Sequence, residues 1–285
     1  MIILESALES IKENIINILK KHVPSKIINN IPLSGKMLRT RLGLNISKKY
    51  FNNLNDELIN AFSAMELVQL ASLLHDDVID GSYIRRNKPT INYLFNNSVA
   101  VALGDLVLVT AFEIVEDLNN ETLRREFLNV IKNMSEGELL EQLNKGKIAK
   151  REDYFEIIRK KSGTLFGIGA AIPAIIAKKD YLDDYKIGEE IGILYQIKDD
   201  INDFKDVSEI GKTSMLDINN GIISFPILLA IEKDKSYIEK LFNEDKKDKI
   251  IEFLEENNII LIANEYFEKR KSNLLNRCNY INNII

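Results

Sequence analysis

Apolar residues recur along this chain at three- and four-residue spacings, and no stretch sustains the period-two alternation of a half-buried strand. The spacing predicts an amphipathic helix over residues 4–21, after which Pro24 and Pro32 punctuate the chain. Helices are expected over 36–50 and 56–80, the second opened by Asn55-Asp56 as its N-cap. A loop over 81–88 leads to Pro89, expected at the first position of a helix over 89–96. Further helices cover 98–118, 121–145, 151–178 and 181–203, followed by a polar loop over 204–221 with Gly211 and Gly221. The last three, over 222–233, 235–256 and 259–282, are rich in Lys, Glu and Asn. The pattern reads as all-α, with helices longer than the usual three turns.

Composition agrees and excludes some functions. Only 5 Pro and 13 Gly in 285 residues leave little turn chemistry, and a 45% hydrophobic chain of that length can bury a large core. No internal repeat, low-complexity linker or shift in composition marks a boundary, so residues 1–285 read as a single domain. A formal charge of −5 argues against a nucleic-acid partner. The one cysteine, Cys278, leaves no intrachain disulfide and suits a reducing cytoplasm. The N-terminus starts apolar but lacks a basic region and meets Glu5 and Glu9 at once, unlike a signal peptide. The uncharged run 162–177 falls short of the ~20 residues of a membrane span, and 98–112 carries Asp105, so both are expected as buried helices.

The candidate chemistry lies in two copies of one acidic pattern, Asp76-Asp77-Val78-Ile79-Asp80 and Asp199-Asp200-Ile201-Asn202-Asp203. At ~100° per residue, positions i, i+1 and i+4 share about a third of a helix's circumference, so each copy projects three carboxylates from one face. Carboxylates that close repel one another unless a cation sits among them, and hard oxygen donors suit Mg²⁺ rather than zinc or copper. Two such triads sharing Mg²⁺ would clamp a diphosphate. A single copy is more often a solvated helix end; two copies, each closing an apolar helix, are not.

Basic and polar residues accompany both motifs. Lys36 and Arg39 lie one turn apart at the start of a helix, in Ser34-Gly35-Lys36-Met37-Leu38-Arg39. Arg85 and Arg86 follow Asp80, and guanidinium groups suit bidentate phosphate recognition. Lys161-Ser162 opens the second apolar helix, Gln196 precedes Asp199 by three residues, and Lys212 lies in the loop after Asp203. Cations beside each acidic cluster point to a polyanion bridged by metal.

The ordered set resembles the trans-type polyprenyl diphosphate synthases, in the branch that makes medium and long chains. It comprises Gly35-Lys36-x-Leu38-Arg39, Leu73-Leu74-His75-Asp76-Asp77-x-x-Asp80, Arg85-Arg86, Gly104-Asp105, Lys161-Ser162-Gly163, Tyr195-Gln196-x-x-Asp199-Asp200-x-x-Asp203, and Gly211-Lys212 with Asp217. These pieces span residues 35–226. The resemblance implies a single-domain bundle of long helices around a deep central cavity, of isoprenoid synthase type, working with three Mg²⁺ ions. It implies that Asp76, Asp80 and Asp199 bind Mg²⁺ directly, and that Asp77, Asp200 and Asp203 ligate the same ions or hold their waters. Arg85, Lys161 and Lys212 would grip an allylic diphosphate. Lys36, Arg39 and Arg86, with Gln69 on the same side, would hold isopentenyl diphosphate. Ser162 and Gln196 would steady the carbocation, and the released diphosphate would take the proton.

Some positions depart from the family pattern. Gln69 stands where His is common, Ser34-Gly35 where Gly-Gly is, and Asn87 where Gly follows the arginine pair. Gly221-Ile222-Ile223-Ser224 replaces Gly-Lys-x-Thr, so a second loop lysine is absent. His75 is expected to pack or support rather than to ligate metal.

One turn before Asp76, ~6 Å deeper along the helix, stand the small residues Ala71 and Ser72. Short-chain members of the family carry bulky aromatics there, so a product longer than geranylgeranyl is expected, of octaprenyl length, with Phe127 as the tunnel floor. The implied partners are isopentenyl diphosphate, a farnesyl or geranylgeranyl primer, a second copy of the chain, and a membrane surface met peripherally on product release. Three alternatives stay open: a geranylgeranyl synthase, a class I terpene cyclase, and a non-catalytic subunit of a heteromeric synthase. A cyclase would carry a different second metal motif, and such subunits usually lose acidic residues that this chain keeps. A di-iron carboxylate bundle fails, because Leu19 and Ser72 stand three residues before the two histidines, His22 and His75.

Overall fold

The computed structural model describes residues 4–31, 35–147, 150–210 and 221–278, with the backbone alone over 205–210. The described residues group into two compact units, one of 4–131 and 168–185, the other of 132–167 and 186–278. Among them the fold is all-α apart from one two-residue ladder.

In the first unit, α1 (Leu4–His22) buries Ala7, Leu8, Ile11, Ile15 and Leu19, a stripe at helical spacing. The short α2 (Ser25–Ile28) and α3 (Leu38–Ser47) follow. The central helix is α4 (Asp56–Ile79), which packs on α1 and most extensively on α6 (Asn97–Asp117). Its start is the expected one: Asn55 Oδ1 accepts from the Leu58 N–H at 2.9 Å, and Asp56 and Glu57 place negative charge against the helix dipole. Both α4 and α6 are long and apolar enough to cross a membrane by length and composition. They differ in burial. Apolar residues of α4 such as Leu58, Phe62, Met65 and Leu67 are fully enclosed, whereas α6 leaves Val101, Leu106 and Val109 exposed. The run 98–112 is therefore buried on one face only, not throughout as expected.

His75 packs on α6 as expected. Its Nε2 lies 3.3 Å from Asp105 Oδ1, and a Cβ at Gly104 would come within 2.3 Å of the same nitrogen. Gly104 is small because an imidazole fills the space.

Pro89 does not open a helix. It pairs with Ile84, and Lys88 with Arg85, in an antiparallel ladder of β1 (Ile84–Arg85) and β2 (Lys88–Pro89). Arg86 and Asn87 form the turn, with φ of 52° and 61°, as a two-residue primed turn requires. Proline is tolerated because the Thr90 N–H, not its own, continues to the Tyr83 carbonyl. The following helix, α5 (Ile91–Leu94), is a single turn that starts after Thr90, whose hydroxyl donates to the Ser82 carbonyl at 2.8 Å.

Helix α7 (Glu121–Asn144) divides its residues between the two units. The run expected as one helix over 151–178 consists of α8 (Arg151–Ile158), a π-helical stretch Arg159–Gly163, and α9 (Thr164–Ile176). Helix α10 (Leu182–Ile210) continues through residues expected to begin a loop at 204, since no Gly or Pro occurs before Gly211. After α11 (Phe225–Lys233), the expected helix 235–256 is broken into α12 (Lys235–Asn243) and α13 (Lys247–Glu256) around Asp245, at φ 52°. The break has a packing reason. Ile238 and Leu241 of α12 and Ile250 and Leu254 of α13 all turn onto Ile227, Ala230 and Ile231 of α11, which one straight helix would not allow. The last described helix is α14 (Ile259–Leu275).

Candidate active site

Each acidic motif shows the same order of exposure. Asp76 and Asp199 are half-buried, Asp77 and Asp200 buried, Asp80 and Asp203 exposed. The middle carboxylate of each is held inside its own unit. Asp77 Oδ1 accepts from Arg85 Nε at 2.7 Å, and Asn92 Nδ2 donates to the Asp77 carbonyl at 3.1 Å, tying the end of α4 to the hairpin and to α5. Burial raises the Asp77 carboxyl above the ordinary range, although the Arg85 hydrogen bond and charge oppose it.

Asp200, on α10, accepts from the Tyr154 hydroxyl at 2.7 Å, the Phe225 N–H at 2.8 Å and Gln196 Nε2 at 2.9 Å. Burial, reinforced by the Asp200 charge, pushes the Tyr154 hydroxyl well above its ordinary value, so tyrosine stays protonated and donates. An acceptor-only carboxylate also fixes the orientation of the Gln196 amide. Its nitrogen faces Asp200 and its oxygen accepts from Ser162 Oγ at 2.8 Å. Ser162 and Gln196, paired in the sequence reading, meet directly.

Lys161 lies on the π-helical stretch, with Nζ 2.6 Å from Glu138 Oε2 and hydrogen-bonded to Glu141, both on α7. Burial alone would lower its pKa; the charges of Glu141 and Glu138 outweigh burial and raise it. Two glycines let the neighbouring helices approach. A Cβ on Gly137 would sit 2.8 Å from Lys160 Cβ and 2.9 Å from Lys161 Cγ, and one on Gly192 would sit 2.7 Å from Gly163 Cα and the Ser162 carbonyl oxygen.

The arginine pair divides at the hairpin tip. Arg85 turns to Asp77, and Arg86 lies across Gly35, whose Cβ would come within 2.6 Å of Arg86 Nη1. Lys36 beside it is exposed, and its carbonyl accepts from Arg41 Nε at 2.9 Å. Arg39 and Arg86 both act electrostatically on Glu66, a residue absent from the sequence reading. Gln69 and Ser72 bond to each other, Ser72 Oγ donating to the Gln69 carbonyl at 2.9 Å. Ala71 and Phe127 are both buried in the first unit. Lys212, with Gly211 and Asp217, lies outside the described residues.

Sequence reasoning missed Glu66, Glu138, Glu141 and Tyr154. Glu66 had a signal, as the one charged residue in the apolar run 58–75. Glu138 and Glu141 looked like ordinary helix-surface acids, and Tyr154 like core.

The family model for polyprenyl synthetases matches residues 21–256. The chain belongs to that family. The chain is 29% identical over 214 residues to a short chain isoprenyl diphosphate synthase of Methanocaldococcus jannaschii, covering 72% of the chain and 62% of that relative. It is 32% identical over 174 residues to the octaprenyl diphosphate synthase of Escherichia coli, covering 59% and 53%. The matched stretch spans about half to two thirds of the length of such relatives. Among solved structures, octaprenyl pyrophosphate synthase from Helicobacter pylori superposes with a TM-score of 0.82 at 27% identity, covering 97% and 93% of the two chains. Geranylgeranyl pyrophosphate synthase from Lactobacillus brevis reaches 0.90 at 21% identity, covering 97% and 91%, and shows the shared all-α fold. The relatives' names run from short chain to decaprenyl, so kinship alone assigns no product length to this chain.

Proposed function

We propose that this polyprenyl synthetase is a single catalytic domain that condenses isopentenyl diphosphate with a farnesyl or geranylgeranyl diphosphate primer and repeats the step to octaprenyl length. The observation that carries this is the repeated acidic motif, each copy anchored by its buried middle Asp, with its last Asp exposed.

The outer residues fit Mg²⁺, since all are hard oxygen donors. Among the described residues no three metal-binding side chains are gathered into a complete site. Mg²⁺ keeps several waters and takes substrate phosphate oxygens alongside one or two carboxylates. Asp76, Asp80, Asp199 and Asp203 would hold three such ions, while Asp77 and Asp200 position them. When bound, Mg²⁺ supplies positive charge to the departing diphosphate.

Lys161 and Lys212 bind and neutralise the allylic diphosphate as its C–O bond breaks with the electron pair leaving on oxygen. Arg85 orients Asp77 and borders the same group. Lys36, Arg39 and Arg86, with Gln69, hold the isopentenyl diphosphate so that its double bond attacks the allylic cation. Ser162 and the oriented Gln196 oxygen steady that cation, and the released diphosphate accepts the proton then lost. Ala71 and Ser72 leave room for a growing chain and Phe127 ends it.

A homodimer is part of this reading, supported by the exposed apolar face of α6 at Val101, Leu106 and Val109. The protein works in the cytoplasm and meets a membrane only to release its apolar product. A second reading has one specific support, 29% identity over 199 residues to heptaprenyl diphosphate synthase component 2 of Bacillus subtilis, which favours a subunit of a two-component enzyme.

The deciding assay incubates the protein with radiolabelled isopentenyl diphosphate, farnesyl or geranylgeranyl primer, and Mg²⁺, and separates products by length. Mg²⁺-dependent products of about forty carbons are expected. Folded protein that elongates no primer refutes catalysis by this chain alone and returns the two-component reading.

A further inference from the structure

Glu66 is a charged side chain in an apolar stretch, and the fold gives it specific partners. The Thr40 hydroxyl donates to Glu66 Oε1 at 2.5 Å, and the Thr40 backbone N–H bonds the same carboxylate. Thr40 is fully buried and directly follows Arg39 in α3. From the hairpin, Arg86 lies across Gly35, next to Lys36, and its charge, like that of Arg39, acts on Glu66. Thus α3 is hydrogen-bonded to α4 at Glu66, and the charges of Arg39 on α3 and Arg86 at the hairpin tip both act on that carboxylate. Burial raises its pKa, and the Thr40 hydrogen bonds and the two arginines do not fully offset that. An apolar residue would avoid the cost of a buried charge, so the acid is not explained by core packing.

We propose that Glu66 is the positioning residue of the isopentenyl diphosphate pocket, its carboxylate, fastened by Thr40, holding the Arg39 and Arg86 guanidiniums at the separation a diphosphate requires. This rests on the function proposed above. Two guanidiniums that converge on one polyanion repel each other before it arrives, and each has a long side chain to order. A fixed negative charge between them lowers that repulsion in advance, so less of the ligand's binding energy goes into gathering them. Glu66 itself does not touch the diphosphate, because like charges would oppose contact.

Glu66→Gln tests this, because it keeps the acceptor oxygen for Thr40 and removes the charge. Calorimetric titration with isopentenyl diphosphate should show a Kd raised about tenfold. Steady-state elongation should show the same rise in KM for isopentenyl diphosphate, with KM for the allylic primer and kcat each within about threefold of wild type. Glu66→Asp should recover part of the loss, and Thr40→Val should raise the Kd about threefold. An unchanged or tighter Kd in Glu66→Gln overturns the proposal, as do equal increases in both KM values. If Glu66→Gln does not fold, Thr40→Val decides, and an unchanged Kd there overturns it. Wild-type protein that binds isopentenyl diphosphate but elongates no primer would remove the proposed function and leave this inference standing. Wild-type protein that binds none would remove both.

Discussion

At the scale of single residues, carboxylates next to each other in sequence do different work because their partners differ. Asp200 has three donors, and replacing it with Asn sets an NH₂ group against at least one of them. Asp203 is exposed at the outer end of the motif. Asp200→Asn should therefore lower the thermal midpoint, at a cost of about 2–3 kcal/mol, whereas Asp203→Asn should lower it less and raise the Mg²⁺ concentration needed for half-maximal rate. Both are read by thermal melts and metal titrations, and the opposite assignment of effects would refute the anchor role. Glu66 gives a prediction in pH. Its folded-state pKa lies above the unfolded 4.5, so the native state binds the proton more tightly. Stability should then fall as pH rises from about 4.5 until the carboxyl is ionised in both states. Glu66→Gln should lose that fall and be at least as stable as wild type at neutral pH, measured as urea midpoints across the range. A variant gaining stability while losing substrate affinity is what a positioning charge predicts. The outer acids were legible in sequence because i and i+4 share a helix face. Their anchors were not, since Tyr154 and Phe225 lie 46 and 25 residues from Asp200 and only tertiary structure brings them there.

At the scale of elements, the stretch Arg159–Gly163 sets where Lys161 and Ser162 sit. A π-helical turn holds more residues than an α-helical one and so rotates the side chains that follow, and here it occurs between two glycines on neighbouring helices. Gly192→Ala would bring a methyl 2.7 Å from Gly163 Cα. It should cost about 1–3 kcal/mol in urea denaturation and lower kcat/KM for the allylic substrate more than for isopentenyl diphosphate. Equal kinetic losses for both substrates would separate this stretch from the allylic side. The helices themselves were largely legible, because their apolar periodicity and the Asn55 cap are local signals. The π-helical stretch has no such signature. The α12–α13 break was hidden because Asp245 is neither Gly nor Pro, and the hairpin because Pro89 also suits a helix start. At the hairpin, Asn87 suits its turn position, since asparagine reaches φ 61° more readily than other side chains.

At the scale of the molecule, the proposed product length depends on two helices, Ala71 standing on α4 and Phe127 on α7. Ala71→Tyr should shorten the product and Phe127→Ala should lengthen it, in the same chromatographic separation that tests activity. Unchanged lengths in both would remove Ala71 and Phe127 from the account of termination. The exposed α6 face makes a separate claim: Val109→Lys should convert a dimer to a monomer in sedimentation experiments, and a sedimentation coefficient that does not move would send the interface elsewhere. The arginine pair carries a last consequence. Arg85 belongs to a strand and Arg86 to the turn it enters, and in a strand neighbouring side chains point to opposite faces. Arg85 is thus held by its strand and by Asp77, while the place of Arg86 over Gly35 is fixed by the turn alone. Lengthening that turn by one residue should leave Arg85 on Asp77 and draw Arg86 away from Gly35. The length of this loop is a setting for one arginine that its neighbour does not share.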